Sequence, residues 1–181
     1  IMGSSKNTKN FTCTWKVGYA NTNETFKGKI NNWSCSGSGY TGTVNITKVG
    51  TGDWRLTGSN DYKGTTSIAG GRLIVNGTNS GTGQVIVAAD ATLAGKGTVA
   101  GKVTVMADAT VYAGDTLINS QTLKLTGGCT INEGAVVEVP LYSSNGATKC
   151  NRLQVTGNFQ IDGATLRLNM SETEGIKNDA S

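Results

Sequence analysis

Short runs in which every second residue is apolar recur along most of this chain. They are 68–77 (IAGGRLIVNG), 85–97 (VIVAADATLAGKG), 103–115 (VTVMADATVYAGD), 123–139 (LKLTGGCTINEGAVVEV) and 153–170 (LQVTGNFQIDGATLRLNM). Each run predicts a strand, a corner of small residues and a second strand, since strand side chains alternate between two faces. No stretch of a dozen residues carries an unbroken apolar period of 3.6, so no helix is predicted and the class is all-β. One run nearly repeats itself: VIVAADATLAG (85–95) returns eighteen residues later as VTVMADATVYA (103–113). Units spaced by roughly 18 to 30 residues point to a solenoid, and a strand–corner–strand unit of that length is one coil of a parallel β-helix.

Coil stacking makes definite demands on these residues. Equivalent strands lie about 4.8 Å apart, so Val85 and Val87 are expected inside, over Val103 and Val105. Ala89 and Ala91 over Ala107 and Ala109 leave room for a tight corner. Asp90 and Asp108 then stack at the turn, a place where aspartate bonds its own backbone and tolerates αL geometry. One coil cannot bury its own apolar face, so stability is expected to come from its neighbours. Open ends would expose unpaired strand edges, and the chain is expected to be a piece of a longer one.

The beginning differs in texture. Phe11, Trp15, Tyr19, Phe26, Trp33, Tyr40, Trp54 and Tyr62 hold most of the aromatic content, so residues 1–44 are expected to form a β-rich cap or wider, irregular coils, with regular coils over 45–181. The 26 glycines, single proline and 15% charged residues lie outside the usual composition of mixed α/β enzymes. A net charge of +4 is thinly spread, and its densest patch, SSKNTKN (4–10), lacks the arginines and clustering of a nucleic-acid footprint. No apolar run is long enough for a membrane helix.

The absence of histidine removes Ser-His-Asp and Cys-His catalysis and every histidine metal site. No catalytic residue, metal or cofactor is assigned. Paired carboxylates are the remaining enzymatic option, and Asp90 with Asp108 comes nearest to a pair; stacked carboxylates repel unless a cation intervenes, but turn stabilisation explains both without one. GTGQV (81–85) and GKGTVAGK (95–102) lack the Gly-Lys-Ser/Thr ending of a phosphate loop. Trp15 and Trp33 are the candidate ligand-binding residues, as a sugar-stacking platform, although core or cap packing would also account for them. Trp54 and Tyr62 are expected to pack at a coil corner.

Cys13 and Cys35, like Cys129 and Cys150, are separated by about one coil, a spacing that permits disulfides. Aligning Leu123 with Leu153, however, turns Cys129 inward opposite Phe159 and leaves Cys150 in an insertion; both bridges together are not expected. The sequons NFT (10–12), NWS (32–34) and NIT (45–47) are ordinary in a chain so rich in Asn and Thr.

The stretch GTGDWRLTGSNDYKGTTSIAGGRLIVNGT (50–78) resembles the autotransporter-associated β-strand repeat, with Trp54, Leu56, Gly58, Asn60, Tyr62, Gly64, Thr65, Gly71 and Leu73 at pattern positions. Residues 91–115 are similar to the coil that follows it, with Ala113 where a proline is often found, and 151–170 resemble a late passenger coil. The likeness covers 44–170 and is weak before residue 40. It implies a right-handed parallel β-helix in a secreted or surface-exposed bacterial protein and no particular chemistry. The expected function is therefore a non-catalytic stalk or scaffold with a part in adhesion. The alternatives are a carbohydrate-binding module built on the N-terminal aromatics and, behind it, a polysaccharide-processing β-helix. Expected partners are flanking domains of the same polypeptide and host or environmental glycans or proteins, with no nucleic acid.

Overall fold

A computed structural model describes residues 10–35, 40–115, 120–144 and 147–171, without the side chains of 33–35, 40, 143, 144, 147, 148, 170 and 171. Those residues form strands and corners throughout and no helix, and strands equivalent from coil to coil pair in parallel into three sheets. The fold is a parallel β-helix. The first sheet runs Asn10–Val17, Tyr40–Lys48, Thr66–Ile68, Val85–Val87, Val103–Val105, Cys129–Ile131, Phe159–Ile161 in spatial order. The second sheet carries Glu24–Phe26, Asp53–Leu56, Gly71–Val75, Ala91–Gly95, Thr110–Ala113, Val136–Ser144 and Thr165–Ser171 along the same direction. The third, of shorter strands, starts at Ser59–Asn60 and ends at Arg152–Val155.

Register follows from the period of two. Val85 faces Thr66 on one side and Val103 on the other, and Val103 faces Cys129, which faces Phe159. Read along the rod, one inward column is Trp15, Ile46, Thr66, Val85, Val103, Cys129, Phe159. Its neighbour is Val17, Lys48, Ile68, Val87, Val105, Ile131, Ile161, and from the second sheet Trp54, Leu73, Leu93, Val111 and Val137 fill the opposite wall. A one-residue slip would turn every one of these side chains out to water, so the pattern fixes the pairing. Each enclosed Val, Leu or Ile contributes about 1.5–3 kcal/mol.

Coil width varies. Asn10 faces Thr41, Val85 faces Val103, and Cys129 faces Phe159, so wide coils at both ends flank narrow central ones. The parallel ladder reaches back to Asn10, and the strand Tyr40–Lys48 runs across the boundary expected at residue 45. The first coil departs from the others in one antiparallel strand, Trp33–Cys35, laid against Tyr40 to Gly42. The extra length of the late coils lies between the second and third sheets, as the segment 114–121 and as the hairpin of Val136–Ser144 with Ala147–Cys150.

Corners interrupt the backbone ladder, and asparagine side chains take over there. The carboxamide oxygens of Asn21, Asn23, Asn45 and Asn76 accept the backbone N–H groups of Thr51, Asp53, Thr65 and Lys96, each one coil further on, at 2.8–3.3 Å. Asn32 accepts from Val44 and Lys63 in the same manner. These bonds lie mostly at the exposed surface, where each contributes about 0.5–1.5 kcal/mol at most, and they continue the coil-to-coil hydrogen bonding where strands stop. The high asparagine content is thus a stitching device, and Asn32 and Asn45, each in a sequon, are engaged in it.

Candidate functional site

The stretch around the first narrow coil holds the densest set of buried polar groups among the described residues. Asn60 and Asn79 stack in one inward column of the third sheet, 1% and 5% exposed, where the later coils place Val99 and Leu125. Asn60 Nδ2 donates to Asn79 Oδ1 at 2.9 Å and its oxygen accepts from Ile30 N. Asn79 Nδ2 donates to the Tyr62 hydroxyl, and that hydroxyl lies 2.7 Å from Thr66 Oγ1. Burial raises the Tyr62 pKa, opposed by its bonds to Thr66 and Asn79, so the phenol stays neutral and serves as a hydrogen-bonding strut. Trp54 is buried in its inward column, its ring centroid 6.2 Å from that of Phe26 in the coil below. Gly64 has no room for a side chain, because a Cβ there would run into the Val44 carbonyl oxygen.

Lys48 is the unexpected member. Strand parity turns it into the core between Val17 and Ile68, where it is 1% exposed. Its ammonium bends to the corner and donates to the carbonyls of Val49, Gly50 and Gly70 at 2.7, 3.1 and 3.1 Å. Burial lowers its pKa, with Asp53 pulling the other way. The sequence contained the signal: in TVNITK (43–48) lysine occupies the same parity as Val44 and Ile46.

Trp15 lies in the strand Asn10–Val17 and Trp33 in the strand Trp33–Cys35. Their strands lie on opposite edges of Tyr40–Lys48, since Gly42 pairs with Phe11 on one edge and with Trp33 on the other. Trp15 stands in the inward column above Ile46 and is 41% exposed because no described strand lies beyond it. With Phe11, Cys13, Ile30 and Val44 it lines an open cleft of about 590 Å³ at that end of the rod. Trp33's side chain lies outside the described residues. At the opposite end Phe159, Ile161, Leu166 and Leu168 are exposed for the same reason.

Asp90 and Asp108 are exposed, with φ of 60° and 61°, followed in the same corner column by Gly134 at 78° and Gly163 at 61°. Asp90 N donates to Asp108 O, Asp108 N to Gly134 O and Gly134 N to Gly163 O, so the ladder is carried by backbone in αL geometry. Among the described residues no group of His, Cys, Asp or Glu has metal-binding geometry. Cys13, Cys129 and Cys150 are free thiols; Cys129 is buried, which raises it to about 11. Cys35's side chain lies outside the described residues.

The outer face of the second sheet gathers the remaining charge. Gly95 and Gly114 exchange backbone bonds, and Asp115 accepts from Arg55 at 3.0 and 3.3 Å and from Asn76 at 2.7 Å. Burial raises Asp115, but those bonds and the charges of Arg55 and Arg72 outweigh it and leave the carboxyl below its usual range. Arg72 reaches Asp53 at 3.5 Å and lies 5.5 Å from the Tyr112 ring centroid. Glu138 accepts from Asn169 and pairs with Arg167. This face escaped sequence reasoning, because partners sixty residues apart leave no local pattern.

Residues 46–75 match the family model described as the passenger-associated-transport-repeat. No curated protein and no solved structure gives a significant match. The matched segment begins at the buried Ile46 and ends at the buried Val75, and contains Lys48, Trp54, Asn60, Tyr62 and Thr66. This segment of the rod is similar to the passenger-associated-transport-repeat, and its coil geometry is consistent with a passenger β-helix repeat.

Proposed function

We propose that the chain is a non-catalytic structural segment of a secreted or surface-exposed bacterial passenger, a stalk that holds neighbouring parts of the polypeptide away from the cell. The reading is carried by one observation: seven strands of the first sheet follow one another in register over a continuous inward column. Such a rod transmits position along its length through backbone ladders and stacked aliphatic side chains. Its carboxylates support a structural role. Asp53, Asp61, Asp115 and Glu138 sit in ion pairs, Glu24 accepts from Thr22, and Asp90 and Asp108 turn corners.

The test is surface display. With an epitope at its N-terminus and an outer-membrane translocation barrel at its C-terminus, the chain should carry the epitope to the cell exterior. Val105→Asp, which puts a charge in the core column, should reduce the exposed epitope while total expression persists. Equal display by both chains, or turnover of a polysaccharide by the purified protein, would count against the stalk.

A further inference from the structure

An open cleft of about 460 Å³ lies on the outer face of the second sheet, midway along the rod. Thr92 and Thr110, adjacent rungs of one outward column, form its floor, with Tyr112 beside them and Glu138 one rung beyond Tyr112. Arg72 closes one side by reaching towards the Tyr112 ring, and Asp115 forms the wall on another. Asn169 completes the lining.

Three features separate this cleft from the rest of the surface. The hydroxyls of Thr92, Thr110 and Tyr112 make no side-chain hydrogen bond among the described residues, whereas the neighbouring charged groups are held in place by Arg55, Asn76, Asn169 and Arg167. Fixed charges around uncommitted hydroxyls are the mark of a preorganised polar site. The site also adjoins the edge where both late insertions occur, and in solenoids insertions concentrate on one face, often the binding face. Finally, Tyr112 is half-buried and presents an aromatic ring among these polar groups.

We propose that this cleft binds an uncharged saccharide, lying along the rod over Thr92, Thr110 and Tyr112. The lining selects that chemistry. Every saccharide hydroxyl both donates and accepts, which suits a wall mixing guanidinium, carboxylate, amide and hydroxyl groups. Phosphate or sulfate would meet Asp115 and Glu138, and an extended peptide would find no free strand edge, because the strands under the cleft are paired on both sides. This inference goes beyond the stalk reading, which stands whether or not the cleft is occupied.

The test is calorimetric titration of the whole chain with short β-1,4-linked oligosaccharides of glucose, xylose, mannose and N-acetylglucosamine, alongside polygalacturonate and heparin as anionic probes. At least one neutral oligosaccharide should bind, and Tyr112→Ala and Thr110→Val should each weaken it by about tenfold. Tyr112→Phe, which keeps the ring, should weaken it less, and Trp15→Ala should leave it unchanged. Thermal melting of each variant separates lost binding from lost folding. Binding of no neutral probe by the folded protein, binding of anionic probes alone, or a loss confined to Trp15→Ala would each overturn the proposal.

Discussion

The coil around 46–79 and the coils of 85–113 share one backbone and the same inward columns, yet fill them differently. Where the first places Lys48, Thr66, Asn60 and Asn79, the second places Val87, Val85, Val103, Val105 and Val99. Both are equally closed to water. The contrast shows that the ladder of parallel strands sets the shape of the rod, while side chains decide how it is held. Aliphatic columns stabilise through area and close packing, which any neighbour of similar size can satisfy. Polar columns stabilise only with one particular partner, because an unmatched amide in the core is costly, and so they specify which coil stacks on which.

The comparison breaks most visibly on the aliphatic side. Leu93 is fully buried between Leu73 and Val111, and Leu93→Ala should destabilise the rod by about 2–5 kcal/mol, read as a lowered denaturant midpoint. On the polar side Asn60→Leu leaves Ile30 N–H without its acceptor and Asn79 without its donor, at a cost of about 1–3 kcal/mol. A double-mutant cycle sharpens the difference. Asn79→Leu should cost less in the Asn60→Leu background than alone, whereas Leu93→Ala should add independently to Asn60→Leu. Additive behaviour of the two asparagines would mean that they do not act as a pair.

At the corners the contrast concerns backbone rather than filling. Asp108 holds αL geometry at φ 61°, so Asp108→Val should cost about 1–2 kcal/mol while Asp108→Gly is neutral or stabilising. If loss of the carboxylate mattered more than the backbone, both variants would destabilise alike, and thermal melting distinguishes the cases.

How far all this could be read from sequence depended on whether the cause was local. The alignment of Leu123 with Leu153 and of Cys129 with Phe159 is legible, because alternation and repeat spacing fix register. Cys129 is accordingly inward and Cys150 on the hairpin, and both are free. The inward placement of Lys48 was equally legible by parity and was hidden only by the general tendency of charge to face water. Trp15 is different in kind. Parity gives its direction, but its exposure depends on what stacks beyond it, which no local pattern contains. The lateral cleft lay further out of reach, since Asp115 meets Arg55 across several coils.

The smallest expected effect concerns Lys48, the one cation in an otherwise aliphatic column. Burial lowers its folded pKa below the ordinary 10.5, so over the interval between those values the unfolded chain binds more protons than the folded one. Stability from this group therefore rises with pH through that interval, and below it the full cost of burying the ammonium is present. Lys48→Met removes the titration and also leaves the carbonyls of Val49, Gly50 and Gly70 without their donor. Wild type should consequently gain on Lys48→Met as the pH rises towards 10.5, in paired denaturant titrations at matched ionic strength. A difference that stays flat with pH would mean that the three carbonyls compensate the buried charge completely, and that the polar and aliphatic coils are held with the same indifference to protons.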